Sequence, residues 1–258
     1  MTIRTRSPGE FCWINMLSPD LDAARGFYTA VLGWTFVEMP GMGYRVQAGG
    51  RDIGGLFDLL GPNTPAGTKP QVGVMVKVAS ADATVERIKA LGGTATPAWD
   101  IGPAGRMSVC GDPAGAKFDL WEAKAMAGFD ADPITPGAPG WFELMTPDAD
   151  RAATFYGELF GWAREATADT VVPYALLKQG AHPVGGMLTI LPRMGPLAPN
   201  WTTYFTVPDA AKAVAEAEAR GAAVPMPVRE SASGDRFARL ESPQGVPFAV
   251  IEHGETRR

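Results

Sequence analysis

Polar and apolar positions along the chain alternate between two periods, and each change of period predicts a new element. Phe11 to Leu17 and Trp141 to Met145 are short apolar runs rich in β-favouring residues, and they predict strands. Ser18-Pro19 and Thr146-Pro147 follow. They predict helices capped by a hydroxyl, with proline at the first helical position, where a missing N–H costs nothing. In the first helix Ala24, Phe27, Tyr28, Val31 and Leu32 recur at i, i+3, i+4, i+7 and i+8, a single apolar stripe. Ala152, Phe155, Tyr156, Leu159 and Phe160 repeat that stripe, and Gly33 and Gly161 close the two helices. Gly-rich strand segments come next, over Tyr44 to Leu60 and Tyr174 to Leu191. Second strand–helix pairs open at Val72 to Val78 and Thr202 to Val207, and closing strands run over Lys117 to Glu122 and Pro247 to Glu252.

The pattern is a duplication. Residues 18–34 align with 146–162 without a gap, and eight of the 17 positions are identical. The stretch ending Leu91-Gly92-Gly93 mirrors the one ending Arg220-Gly221-Ala222, and Asp112 to Phe118 mirrors Ser242 to Phe248. The offset stays between 128 and 131, as a repeated unit requires. The expected organisation is a domain over 1–125, a Pro/Gly/Ala-rich linker over 126–137 and a second domain over 138–258, each with two βαβββ units. The expected fold class is α+β, with curved mixed sheets and the helices outside.

Composition narrows the function classes. Hydrophobic residues make up 46% of the 258 positions and charged residues 20%, which excludes a disordered chain or a coiled coil. The net charge of -5 leaves no basic footprint, so neither nucleic acid nor an anionic membrane is expected as a partner. The first residues enter a strand-like segment without an apolar leader, and no run nears the ~18 apolar residues of a span. Cys12 and Cys110 are too few for a disulfide framework, which points to the cytoplasm. They read as core thiols. The only histidines are His182 and His253.

The motif D-x-x-x-A-x-x-F-Y-x-x-x-[LF]-G-W at Asp20 to Trp34 and again at Asp148 to Trp162 resembles the vicinal oxygen chelate superfamily. So do the endings D-P-x-G-x-x-F-x-L-W-E at Asp112 to Glu122 and S-P-Q-G-V-P-F-A-V-I-E at Ser242 to Glu252. That superfamily includes glyoxalase I, bleomycin- and fosfomycin-resistance proteins and extradiol dioxygenases. The likeness is greatest to its tandem two-domain, glyoxalase-like members, some of them labelled hydroxylases. The resemblance implies a divalent metal held inside cup-shaped sheets. Residue by residue, it places the first-strand metal histidine on Trp13 and Trp141, the second on Gly73 and Thr202, and the closing carboxylate on Asp119 and Ala249. Metal sites need three or four converging N, O or S donors. Neither histidine of the chain occupies a ligand position, and neither grouping of the units restores a donor set, so the expectation is no metal and no cofactor.

Strand alternation then indicates what lines the cups. Trp13, Asn15, Met75, Lys77 and Trp121 share one face in the first domain, and Trp141, Thr202 and Tyr204 do so in the second. This is an apolar lining with a few orienting groups, as in small-molecule sites. Glu143 and Asp119 are the candidate catalytic carboxylates, since a carboxylate in an apolar cup can serve as a general base. Plainer readings stand beside these. Trp13 and Trp141 can be core plugs, and Asp119 can pair with Lys77 or Lys117. Glu122 and Glu252, of opposite parity, can be solvated, and the repeated Arg106 and Arg236 can contact turns. The glycine pairs Gly49-Gly50, Gly54-Gly55 and Gly185-Gly186 read as strand turns. The leading expectation is a monomer or homodimer that binds a small apolar or aromatic molecule in metal-free cups. A metal-independent lyase, hydroxylase or isomerase and a stoichiometric drug-sequestering protein are the alternatives.

Overall fold

In the computed structural model, which describes residues 6–62, 64, 67–167 and 172–254, the duplicated pattern becomes two mixed sheets. The first half runs β1 (Phe11–Ser18), α1 (Leu21–Leu32), β2 (Thr35–Met39), β3 (Gly43–Ala48), β4 (Arg51–Asp58), β5 (Gln71–Val78), α2 (Ala81–Ala90), β6 (Thr94–Ala95), β7 (Trp99–Ile101), β8 (Gly105–Gly111) and β9 (Lys117–Ala123). The second runs β10 (Pro139–Thr146), α3 (Ala149–Phe160), β11 (Ala163–Ala166), β12 (Tyr174–Gln179), β13 (His182–Thr189), β14 (Asn200–Thr206), α4 (Ala210–Ala219), β15 (Ala223–Glu230), β16 (Arg236–Glu241) and β17 (Pro247–Glu252). The first sheet has the order β2-β3-β4-β1-β5-β9-β8-β6, with β7 on β8. The second has the order β11-β12-β13-β10-β14-β17-β16-β15. This is the α+β arrangement of paired βαβββ units that the repeat predicts. Among the described residues no helix is long and apolar enough to cross a membrane.

The helices begin later than the prolines suggest. Asp20 and Asp148, not Ser18 and Thr146, are the N-caps, and each carboxylate accepts the backbone N–H three residues on at 2.9 Å. Ser18 and Thr146 remain the last residues of β1 and β10, and their hydroxyls bond the backbone of the aspartates. A carboxylate satisfies an orphan amide and also meets the positive end of the helix dipole, so it takes the position from the hydroxyl. Gly33 and Gly161 close α1 and α3 in the left-handed region, at φ 69° and 72°, as the sequence predicts.

Two further expectations are corrected. Glu122 and Glu252 are not solvated. Glu122 accepts the first amide of α2, from Ala81, at 2.8 Å, and Glu252 accepts the first amide of α4, from Ala210, at 3.0 Å. Helix amides without an internal partner draw the strand-end carboxylates in. Gly54-Gly55 and Gly185-Gly186 lie inside β4 and β13, not in turns. Gly54 stands beside Ile14 in the parallel ladder, and a Cβ there would collide with the Ile14 side chain and carbonyl; at Gly185 it would meet the Phe142 carbonyl at 2.6 Å.

Contacts divide the chain into two compact units. One comprises the described residues of Met1–Trp13, Gly73–Gly128 and Phe142–Trp201, the other those of Ile14–Val72, Phe129–Trp141 and Thr202–Arg258. In the first unit Phe11 stacks on Phe142 with ring centres 4.1 Å apart, and Trp162, Trp201 and Tyr156 complete the cluster. The Tyr156 hydroxyl donates to Asp112 at 3.2 Å and accepts from the Trp201 indole at 2.9 Å; burial holds this phenol well above its ordinary pKa. In the second unit Tyr28 stacks on Trp34 at 5.0 Å, with Phe205 and Phe248 edge-on. The repeated Gly-Trp has the same use in both. The Trp34 indole donates to the Gly137 carbonyl at 2.7 Å, and the Trp162 indole donates to the Gly9 carbonyl at 2.8 Å.

Candidate functional site

The ladders fix which side chains share one face of each sheet. In the first sheet Met75, Asp119 and Val109 form one row across β5, β9 and β8, and Lys77, Trp121 and Met107 form the next. In the second sheet the rows are Tyr204, Ala249 and Arg239 across β14, β17 and β16, then Thr206, Ile251 and Phe237. These rows correspond at offsets of 129 and 130, so the two halves present different chemistry on one backbone plan.

Three of the side chains read as lining the first cup are buried. Trp13 is 6% exposed, Met75 2% and Trp121 1%. The Trp121 indole donates to the Met126 carbonyl at 2.8 Å, and the Lys77 ammonium to the Ala127 carbonyl at 3.1 Å. Two of the side chains read as ligand-facing thus hold the segment that leaves β9. Asp119 is half-buried. Asn15, also half-buried, stands in register with Gly55 on β4.

The second cup differs. Trp141 and Phe237 are only half-buried, and they pack against a buried floor of Tyr204, Ala249 and Ile251. Tyr204 and Phe237 meet edge-on at 6.1 Å. Arg239, absent from the sequence-derived candidates, donates from Nε and Nη2 to the Tyr204 hydroxyl oxygen, both at 3.3 Å. Phe237 was missed for the same reason. Alternation puts Phe237 and Arg239, two residues apart, on one face of β16, but only the antiparallel register with β17 sets them beside Ile251 and Ala249. Thr202 is half-buried on β14.

The two candidate catalytic carboxylates lie on different sheets. Asp119 belongs to the first sheet, and Glu143, buried on β10 opposite Gly186, to the second. His182 is exposed at the start of β13. His253 is buried just past β17, its Nε2 3.2 Å from the Thr206 hydroxyl and its Nδ1 3.7 Å from the Asp235 carboxylate. Arg106 pairs with Asp82 and bonds the Ala98 carbonyl, and Arg236 pairs with Glu252, so the repeated arginines brace loops and helix starts.

The side chains at the positions where the resemblance puts metal donors do not fit a divalent ion. Indole and glycine cannot coordinate, and the described residues contain no group of three or more His, Cys, Asp or Glu side chains that could hold an ion. Two recesses lie away from the cup faces. One, of about 140 Å³, is lined by Arg164, Tyr174 and Met187; the other, of about 510 Å³, by Arg25, Phe36 and Arg220. The cysteines are free and buried, and desolvation pushes both thiols up to about 12. At pH 7 each then presents about a thousandth of the thiolate of an exposed cysteine. Iodoacetamide is therefore expected to leave the native protein unlabelled while modifying both cysteines in denaturant; fast native labelling by mass spectrometry would contradict this.

The glyoxalase-like domain family matches the chain twice, over residues 13–121 and 141–251. A protein of Mycobacterium bovis named "Putative glyoxylase CFP32" is 33% identical over 246 residues, covering 93% of each chain. The anthracycline biosynthesis protein DnrV of Streptomyces peucetius is 32% identical over 262 residues, covering 95% of this chain and 94% of its own. Among solved structures, 2,2',3-trihydroxybiphenyl 1,2-dioxygenase from Sphingomonas wittichii strain RW1 superposes with a TM-score of 0.67 at 14% identity, over 96% of this chain and 91% of that one. At that identity the likeness shows the fold alone.

Proposed function

Because the chain belongs to the glyoxalase-like family yet carries Trp13, Gly73, Trp141, Thr202 and Ala249 at five of the positions where the resemblance puts metal donors, we propose that it binds a planar aromatic molecule without a divalent metal. The observation that carries this reading is the second cup, where the half-buried rings of Trp141 and Phe237 stand over a buried apolar floor. Aromatic faces with few polar groups suit a flat ring system. The relative named for anthracycline biosynthesis supports a polycyclic ligand class, because anthracyclines are fused aromatic rings. Two buried free thiols fit a reducing, cytoplasmic setting.

The test is a titration of intrinsic tryptophan fluorescence with 1,4-dihydroxyanthraquinone, on protein dialysed against EDTA. Saturable quenching is expected, unchanged by the chelator, with well under one Zn, Mn, Fe or Ni per chain by elemental analysis. Binding that appears only after a metal is restored would overturn the reading. Mass spectra of the probe after long incubation separate a binder, which returns it unchanged, from an enzyme.

A further inference from the structure

Tyr156 and Tyr28 occupy matched positions on α3 and α1, and each ring stacks on the tryptophan just past its helix. Their hydroxyls meet different chemistry. The Tyr156 hydroxyl donates to Oδ2 of the buried Asp112 at 3.2 Å, whereas a serine, Ser242, faces Tyr28. The Tyr156 oxygen also accepts from a second indole, that of Trp201, at 2.9 Å, and the counterpart of Trp201 in the other half is Val72. One core therefore closes with serine and valine at these two points. Packing alone does not call for the aspartate and the second indole in the other.

We propose that Tyr156 is a redox-active tyrosine, a sink for an electron vacancy formed on the indoles around it. A strong one-electron oxidant of the metal-complex or free-radical class takes an electron from Trp162 or Trp201 and is itself reduced. Trp162 lies against the phenol with ring centres 5.5 Å apart and planes 20° apart, and Trp201 meets it edge-on at the same distance. Neither indole points its N–H at a group that can keep the proton. That of Trp162 faces the Gly9 carbonyl and that of Trp201 the phenol oxygen, both neutral acceptors. Tyr156 is placed differently. It returns an electron to the indole, and its hydroxyl proton passes to Asp112 Oδ2. The indole is restored, and the products are a neutral phenoxyl radical and a carboxylic acid. Oδ1 of Asp112 is engaged by the backbone amides of Ala114, Gly115 and Ala116 at 2.9, 2.8 and 2.9 Å, which leaves Oδ2 to the phenol. A phenol that has lost an electron is a far stronger acid than a carboxylic acid, so the proton moves with the electron. Ser242 offers Tyr28 no charge to receive one.

The sink is independent of ligand binding, and the test needs no ligand. The full chain is oxidised with flash-generated tris(bipyridine)ruthenium(III), and its radicals are followed by transient absorption and trapped for EPR. The proteins compared are the parent, Tyr156→Phe, Tyr28→Phe and Asp112→Asn. The expected result is a persistent tyrosyl radical in the parent. Tyr156→Phe should lose most of it and keep an indolyl radical, while Tyr28→Phe should retain the parental yield. Asp112→Asn should shift the yield from tyrosyl to indolyl, and the indole-to-phenol step in the parent should slow in D2O. Indolyl radicals alone in the parent, a tyrosyl signal that survives Tyr156→Phe, or one that Tyr28→Phe removes would overturn the proposal. So would an unchanged yield in Asp112→Asn, or equal rates in the two waters. If Asp112→Asn loses its cooperative unfolding transition, the isotope effect and the two phenylalanine variants decide the matter.

Discussion

Trp34→Ala is expected to be among the most damaging single substitutions in the chain. The indole is fully buried, stacks on Tyr28 and meets Phe205 edge-on at 4.9 Å. Its removal should cost about 3–5 kcal/mol for the cavity and lost contacts. A further ~1–3 kcal/mol follows if the Gly137 carbonyl, now bonded at 2.7 Å, is left without a donor. Trp34→Phe keeps much of the ring packing and should lose mainly the smaller amount. Urea unfolding measures both, with the midpoint falling at unchanged slope. Trp162 makes the matching bond to Gly9 and should behave alike. An alanine variant within 1 kcal/mol of the parent would show that the repeated Gly-Trp is not the structural lock described here.

The second large effect separates two tryptophans at equivalent positions. Trp13, 6% exposed, should act as a core plug, and Trp13→Ala should cost about 3–5 kcal/mol with little change in ligand affinity. Trp141 is half-buried over the second cup, so Trp141→Ala should cost less stability but weaken binding of the aromatic probe. Stacking beyond burial is worth roughly 0.5–1.5 kcal/mol, so a loss of about tenfold in affinity is the expected scale. Unfolding free energy and affinity measured on the same two proteins decide it. Equal destabilisation by both, with affinity untouched, would mean that both indoles are plugs.

Much of the fold was legible because it is written twice. The stripes through Phe27-Tyr28 and Phe155-Tyr156, the helix-closing glycines and the closing strands each occur in both halves, and a periodic signal met twice is hard to misread. What failed was local competition. Ser18 and Thr146 have the composition of caps, but Asp20 and Asp148 two residues on are stronger ones. Glu122 and Glu252 end strands, and only the tertiary position of α2 and α4 reveals the amides they satisfy. The site was half legible. Alternation put Trp141, Thr202 and Tyr204 among the candidates, but Arg239 and Phe237 lie on a strand whose sequence, Arg-Phe-Ala-Arg-Leu-Glu, carries no catalytic motif. Their part in the cup depends on an antiparallel register with β17 that no local pattern states.

The matched rows of the two sheets also bear on how such a site could diverge. In a symmetric homodimer of single domains, every substitution appears in both cups at once, so a change that suits one ligand alters both. A chain that carries both copies in one polypeptide escapes that constraint. Asp119 can stand in one copy and Ala249 at the matched point of the other, and Val109 can be matched by Arg239 in the same way. The two copies in this chain carry different charges at matched points of one backbone plan.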